Sequence, residues 1–135
     1  MITTIFIADD HKVVRQGIKA LLEFEPDFRV IGEAGDGFEA LSLMEPDPPD
    51  ILLTDISMPN CSGIELAQEI VNRRWRTRVV VLSMHDSQPC VDTAIARGAL
   101  GYVLKELGTE HLVVAIREVL LGHRYVSPPL VMSVE

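Results

Sequence analysis

Short apolar runs alternate with amphipathic segments along most of the chain. The runs are rich in aliphatic residues and end at polar or turn-forming residues, which is typical of buried strands in a parallel sheet. The segments between them repeat apolar residues at spacings of three and four, which predicts helices. The predicted strands cover residues 5–8, 28–32, 51–55, 79–83 and 101–104. This alternation predicts an α/β fold with right-handed crossovers and helices on both faces of one parallel sheet.

Local signals mark where several helices begin and end. Glu25-Pro26 closes the first helix, because the residue before a proline avoids the helical conformation. Ser62 to Glu65 has the S-x-x-E spacing of a capping box and starts the third helix. Gly98 is a suitable left-handed cap for the fourth helix, and Thr109 can cap the fifth.

Chain length and composition predict one globular domain. The 135 residues are 47% hydrophobic and 24% charged. No apolar run approaches the ~20 residues of a membrane span, and Ile2–Ala8 lacks the basic region of a signal peptide, so we expect a cytoplasmic protein. Periodicity ends near Ser127-Pro128-Pro129. We therefore predict a domain over residues 1–124 and a linker or C-terminal tail over 125–135.

The net charge indicates which kinds of partner the protein can bind, and the cysteine spacing indicates whether a metal or redox site is present. A net charge of -8 argues against direct nucleic-acid binding and suits a cation or a partner with a basic surface. Cys61 and Cys90 lack the C-x-x-C spacing of a metal or redox site, and we expect free thiols. His11, His111 and His123 are scattered, and we expect them at the surface or at helix ends.

Polar residues follow four of the predicted strands. Asp9 and Asp10 follow the first, Asp55 ends the third, Ser83 ends the fourth and Lys105 follows the fifth. In a parallel sheet these ends lie on one edge, and with strand order 2-1-3-4-5 the three acids face one another across the switch point. Taken singly, each residue has an ordinary explanation as a turn acid, a solvated lysine or a serine that bonds the backbone. Their convergence favours a binding site.

The residue types at this edge suit phosphoryl chemistry. Three adjacent carboxylates repel one another unless one is protonated or a cation neutralises them. Oxygen ligands favour Mg2+, which commonly keeps several waters and takes a phosphate oxygen. Asp55 is the candidate nucleophile that would form an aspartyl phosphate. Lys105 would offer a compact positive charge to one phosphoryl oxygen, and the Ser83 hydroxyl would donate a hydrogen bond to another.

The same residues resemble the receiver domain of two-component response regulators. The resemblance lies in Asp9-Asp10-His11, Asp55-Ile56-Ser57-Met58-Pro59 with Gly63, Ser83-Met84-His85 and Gly101-Tyr102-Val103-Leu104-Lys105. Residues 82–86 and 99–105 resemble the NarL/FixJ (LuxR-type) branch, whose members usually continue into a C-terminal helix-turn-helix domain. The resemblance implies a flavodoxin-like (CheY-like) doubly wound (βα)5 fold with five parallel strands in the order 2-1-3-4-5.

Roles follow from this resemblance. It implies that Asp55 accepts a phosphoryl group from a sensor histidine kinase, while Asp9, Asp10, Asp55 and the Ser57 backbone carbonyl hold Mg2+. Ser83 and Tyr102 would be the switch pair, with Ser83 drawn toward the phosphoryl group and the Tyr102 ring turning into the space it leaves. Judged on residue type alone, Tyr102 is equally an amphipathic ring at a sheet edge.

The resemblance also implies an output. The switch would control transcription through a DNA-binding domain outside this chain, and a homodimer on phosphorylation is a further expectation. No membrane partner is expected. The protein would not be an enzyme beyond catalysing its own phosphorylation and dephosphorylation.

Several positions depart from the family pattern. Cys90 stands where this branch often has a tyrosine, so contacts of the fourth helix are expected to differ. Glu106 follows Lys105, where many receivers have a cis proline. A cis bond before another residue costs ~2.5–4 kcal/mol, so we predict a trans bond there. Ser57 and His85 occupy positions that, in the family, tune how fast water removes the phosphoryl group.

Three alternative functions can each be judged by whether the residues they require are present in the sequence. A metal-dependent phosphatase or phosphotransferase of the haloacid dehalogenase type would carry a second Asp where Ser57 stands. A flavodoxin would need a phosphate loop rich in Ser, Thr and Gly after the first strand, where Asp9-Asp10 would instead repel the flavin phosphate. A receiver that had lost phosphorylation and only dimerises would not need the intact acidic set.

Overall fold

Strands and helices alternate strictly along the part of the chain described by the computed structural model, which comprises residues 1–105, 110–128 and 130. The elements in chain order are β1 (Thr3–Ala8), α1 (Lys12–Leu22), β2 (Phe28–Ala34), α2 (Gly37–Met44), β3 (Ile51–Thr54), α3 (Gly63–Asn72), β4 (Arg78–Ser83), α4 (Gln88–Ala96), β5 (Gly101–Leu104), α5 (Glu110–Leu120) and β6 (Tyr125–Val126). The predicted α/β class is confirmed.

All strand pairs in the sheet are parallel, in the order β2-β1-β3-β4-β5-β6. The predicted order 2-1-3-4-5 is therefore confirmed, but the count of five strands is wrong because β6 adds a sixth. Tyr125 pairs with Gly101, and the Ser127 hydroxyl accepts a hydrogen bond from the Leu104 N–H at 3.0 Å. The predicted linker over 125–135 thus begins with residues that complete the sheet. Residues 129 and 131–135 lie outside the described part of the chain.

The side chains of each central strand alternate between two hydrophobic cores, one on each face of the sheet. Ile5 and Ile7 of β1 point toward α1 and α5, whereas Phe6 and Ala8 point toward α2, α3 and α4. The same alternation runs through β3, β4 and β5, whose side chains are buried on both faces. Full burial of an aliphatic side chain contributes roughly 1.5–3 kcal/mol, so the two cores on the faces of this sheet contribute strongly to stability.

The local helix signals are largely confirmed. The Ser62 hydroxyl accepts from the Glu65 N–H at 3.1 Å and the Glu65 carboxylate accepts from the Ser62 N–H at 3.0 Å, which completes the capping box of α3. Gly98 has φ +114° after α4, where a residue with a Cβ would be strained. The expected cap at Thr109 and the expected trans bond before Glu106 lie outside the described residues.

Cys61 and Cys90 are free thiols, as predicted. Burial raises the pKa of Cys61, and the nearby carboxylates of Glu65, Glu69 and Asp36 act in the same direction. In the described part of the chain, no helix combines the length and the apolar character that crossing a membrane requires.

Candidate functional site

The carboxyl edge of the sheet brings together side chains from three strand ends. Asp9 follows β1 and Asp55 follows β3, and these strands are neighbours, so the Asp55 N–H donates a hydrogen bond to the Ala8 carbonyl at 2.9 Å. Lys105 comes directly after β5. Its Nζ lies 3.0 Å from Asp9 Oδ2 and 3.2 Å from Asp55 Oδ2. The expected convergence of these three residues is therefore present.

These charges are withdrawn from water. Asp9 is 1% exposed, Asp55 is 7% exposed and the Lys105 side chain is 16% exposed. Burial alone would lower the pKa of Lys105, but its hydrogen bond to Asp9 and the charges of Asp55 and Asp9 outweigh burial and raise it above 10.5. Lys105 is consequently protonated at neutral pH and can offer its donors to anionic oxygens.

Asp10 and His11 lie on the solvent side of the same group. Ligand atoms of Asp9, Asp10, His11 and Asp55 all lie within 4.8 Å of one another. The His11 ring is 66% exposed, as expected, yet its Nδ1 is 3.0 Å from Asp10 Oδ1 and 3.2 Å from Asp9 Oδ1. The sequence offered only adjacency as a signal for this contact, since His11 has no ligand-type spacing to another histidine or cysteine.

Backbone contacts hold the loop after β3 in place. The Ile56 N–H donates to Asp55 Oδ1 at 2.8 Å, and the Gly63 N–H donates to the Ile56 carbonyl at 2.9 Å. Gly63 packs so closely that an added Cβ would lie 2.0 Å from the Asp55 carbonyl oxygen. Only glycine allows α3 to start against this loop, so Gly63 helps to determine where the Asp55 carboxylate points.

Ser83, Tyr102 and Ser57 are connected through His85. The His85 N–H donates to the Ser83 hydroxyl at 2.9 Å, and the Tyr102 hydroxyl donates to the His85 carbonyl at 2.7 Å. The imidazole Nε2 lies 3.4 Å from the Ser57 hydroxyl, two residues beyond Asp55. The His85 main chain thus links the loop after β4 to both members of the predicted switch pair, a role that side-chain chemistry in the sequence could not indicate.

The Tyr102 ring is fully buried and lies on β5, which has a strand on each side, rather than at the edge of the sheet. Burial raises the pKa of Tyr102, and an opposing hydrogen-bonding interaction with Ser83 is outweighed. The hydroxyl therefore remains a donor at neutral pH. Its bond to the His85 carbonyl fixes the ring in the inward position.

A separate groove lies away from this acidic group. It encloses about 500 Å3 between α2 and α3, and its lining includes Phe38, Cys61, Glu69 and Arg97. None of the acidic-site residues lines it. The converging charges lie at the carboxyl edge of the sheet and not in this groove.

Most of the chain matches a known protein family. The family model described as the response regulator receiver domain matches residues 5–117. The transcriptional regulatory protein DegU of Brevibacillus brevis is 39% identical over 124 residues, which cover 92% of this chain and 52% of DegU. The chain thus spans about half the length of this curated relative.

Two solved structures share the fold. A two-component response regulator of the LuxR family from Aurantimonas sp. SI85-9A1 is 35% identical, with a TM-score of 0.90 over 95% of this chain and 91% of that one. The isolated REC domain of RcsB from Salmonella enterica serovar Typhimurium, solved in the presence of the phosphomimetic BeF3-, is 28% identical, with a TM-score of 0.84 over 95% of each chain.

These findings agree with the acidic edge, the order of the sheet and the LuxR-type resemblance. The phosphatase alternative has no support among them, since the relatives are response regulators rather than classical enzymes. The chain belongs to the response regulator receiver domain family, in its NarL/FixJ (LuxR-type) branch.

Proposed function

We propose that this chain accepts a phosphoryl group on Asp55 from a sensor histidine kinase and acts as the switch of a two-component system. The observation that carries the proposal is the Lys105 ammonium, which contacts Asp9 and Asp55 at once within a group of converging carboxylates. The ammonium places a positive charge beside the Asp55 carboxylate, which is the group that would attack phosphorus, and beside the position that an anionic phosphoryl group would occupy. The relative solved with a phosphomimetic supports the same chemistry.

The donor set suits Mg2+. Asp9, Asp10 and Asp55 offer only hard carboxylate oxygens, and Asp10 is exposed, which leaves room for the waters that Mg2+ retains. We assign these three carboxylates and the Ser57 backbone carbonyl as the protein ligands. When bound, the ion supplies positive charge that reduces repulsion between Asp55 and an incoming phosphoryl group.

The transfer step forms one bond and breaks another. Asp55 Oδ2 forms a new O–P bond while the P–N bond of the kinase phosphohistidine breaks, and the leaving imidazole keeps the electron pair and takes a proton from water. Asp55 Oδ1 remains oriented by the Ile56 N–H. Lys105 has three donors, so it can turn from Asp55 Oδ2 to a phosphoryl oxygen while it holds Asp9. Hydrolysis of the aspartyl phosphate by water at the same site would reset the switch.

The switch would act through His85. A Ser83 hydroxyl drawn to a phosphoryl oxygen would release the His85 N–H, and the His85 carbonyl that holds Tyr102 would respond. The affected surface is the face formed by α4, β5 and α5. This links a charge change at Asp55 to a packing change at a surface that another protein can read.

The output lies in the rest of the protein. Because the chain spans about half of DegU, which is named a transcriptional regulatory protein, we assign transcription control to a DNA-binding domain joined through the segment after residue 127. A homodimer on phosphorylation would bring two such domains together. Sedimentation with and without BeF3- tests this part separately.

Intact-protein mass spectrometry tests the central step. The chain is incubated with acetyl phosphate and Mg2+, beside Asp55→Asn, a chelator control and the exposed loop variant Asp47→Asn. We expect a gain of one phosphoryl group in the wild type and in Asp47→Asn, and none in Asp55→Asn or with chelator. A gain that persists in Asp55→Asn would remove Asp55 from its proposed role.

A further inference from the structure

A largely buried arginine lies directly behind the acidic group. The Arg15 side chain, in the second turn of α1, is 15% exposed. Its Nη1 donates to the Asp9 carbonyl at 2.6 Å, and its Nε donates to Glu33 Oε1 at 2.7 Å. One guanidinium therefore ties the loop after β1 to strand β2, and the loop it holds is the one that carries Asp9 and Asp10.

The surroundings are shaped for this guanidinium. An added Cβ at Gly35 would lie 3.3 Å from Arg15 Nη1, so a side chain there would press on it. The Asp9 N–H donates to the Ala34 carbonyl at 3.0 Å, which brings the end of β2 against the same loop. The charge-assisted hydrogen bonds of Arg15 offset the desolvation cost of burying its guanidinium, because such bonds are shorter and stronger than neutral ones.

These contacts have a consequence for the metal ligands. Fixing the Asp9 carbonyl fixes the peptide between Asp9 and Asp10, and so the directions in which the two carboxylates leave the backbone. We infer that Arg15 is a positioning residue. Anchored by Glu33, it holds the Asp9-Asp10 loop in the geometry that binds the ion, and this inference rests on the proposed Mg2+ site. Partners behind metal ligands commonly change affinity by about 10–100-fold when they are removed.

Charge and geometry predict opposite effects here. A cation near the site repels Mg2+, so removing the charge of Arg15 should by itself tighten binding. Loss of the two-point contact should weaken binding, because the loop is released. Arg15→Lys separates these effects, since lysine keeps the charge but cannot reach two acceptors with a planar fork.

Direct Mg2+ titration by calorimetry tests the inference without relying on activity. We expect Arg15→Lys to raise the Mg2+ dissociation constant by about 10-fold and Glu33→Gln to raise it by a smaller factor, about 3-fold. Phosphorylation by acetyl phosphate should need correspondingly more Mg2+ in Arg15→Lys, while its rate at saturating Mg2+ stays within about 2-fold of wild type. A weaker Mg2+ affinity with an almost unchanged rate at saturating Mg2+ distinguishes a loss of positioning from general damage to the site.

A matched control is available on the opposite edge of the sheet. Arg117 of α5 makes a comparable clamp with Asp27 and Glu25, far from the acidic group. Arg117→Lys should leave the Mg2+ dissociation constant unchanged, with both variants checked for folding by circular dichroism. Unchanged Mg2+ affinity in a folded Arg15→Lys, or equal weakening in Arg117→Lys, would overturn this inference but leave the proposed metal site standing. A wild-type chain that binds no Mg2+ would overturn the proposed metal site and this inference together.

Discussion

The two edges of the sheet hold their charges in different ways. At the carboxyl edge, Lys105 bridges the nearly buried carboxylates of Asp9 and Asp55. At the amino edge, Arg117 pairs with Asp27 and Glu25 and stacks on Phe28 at 4.6 Å, but the three charged side chains stay partly exposed. Both edges contain ion pairs of similar length, yet their surroundings differ.

This difference separates stability from chemistry. Exposed ion pairs contribute roughly 0–1 kcal/mol each, and water screens them. Buried charges carry a desolvation penalty of several kcal/mol, and apolar residues of similar volume often serve stability better. A costly cluster is therefore expected where the charges have a task other than holding the fold. The carboxyl edge fits this description, and the amino edge does not.

The largest expected effect comes from a glycine at the carboxyl edge. Gly63→Ala places a Cβ 2.0 Å from the Asp55 carbonyl oxygen, so the loop must move, and we expect a loss of about 3 kcal/mol in the free energy of unfolding. Gly122, after α5 at the amino edge, has φ +89° and open space around it, so Gly122→Ala should cost only about 1 kcal/mol. Urea unfolding measures both. Equal losses would show that the packing around Asp55 is no more demanding than an ordinary turn.

An intermediate effect comes from removing one cation at each edge. Lys105→Met leaves two buried carboxylates without their partner and should cost about 2 kcal/mol at pH 7, where the raised pKa of Lys105 makes its contribution fully present. Arg117→Met should cost no more than about 1 kcal/mol. Thermal unfolding with and without Mg2+ sharpens the contrast, because Mg2+ should stabilise Lys105→Met more than wild type. A larger loss in Arg117→Met would contradict the comparison.

The smallest effect concerns acid titration at the amino edge. A side-chain hydrogen bond from Arg117 lowers the pKa of Asp27 below 3.8, outweighing the opposing effect of desolvation. The stability from this shift is present above pH 3.8 and is lost as the pH falls through the lower pKa of the folded state. Carboxyl NMR should follow Asp27 to a lower midpoint than in Arg117→Met. Identical midpoints would show that the pair is not formed in solution.

Part of the site could be predicted because its signals are local. The acids and the lysine stand directly after apolar runs, so strand ends alone place Asp9, Asp55 and Lys105 on one edge. Arg15 was missed, since an arginine on an amphipathic helix is usually a solvated residue. The resemblance predicted that Ser83 and Tyr102 act as a pair, but not which contacts connect them. The connection runs through the His85 main chain, which no side-chain pattern encodes.

The sequence by itself determined the alternation of strands and helices, the two-sided burial of the strands, the capping box of α3 and the residue types that follow each strand. These are properties of neighbouring residues and their periodicity. Tertiary structure decided the rest: the sixth strand, the inward Tyr102 ring and the Lys105 bridge to Asp9, which joins residues 96 positions apart. Two residues are too few for a periodic signal, and a contact across the sheet depends on how the strands stack, so neither can be read from a local pattern.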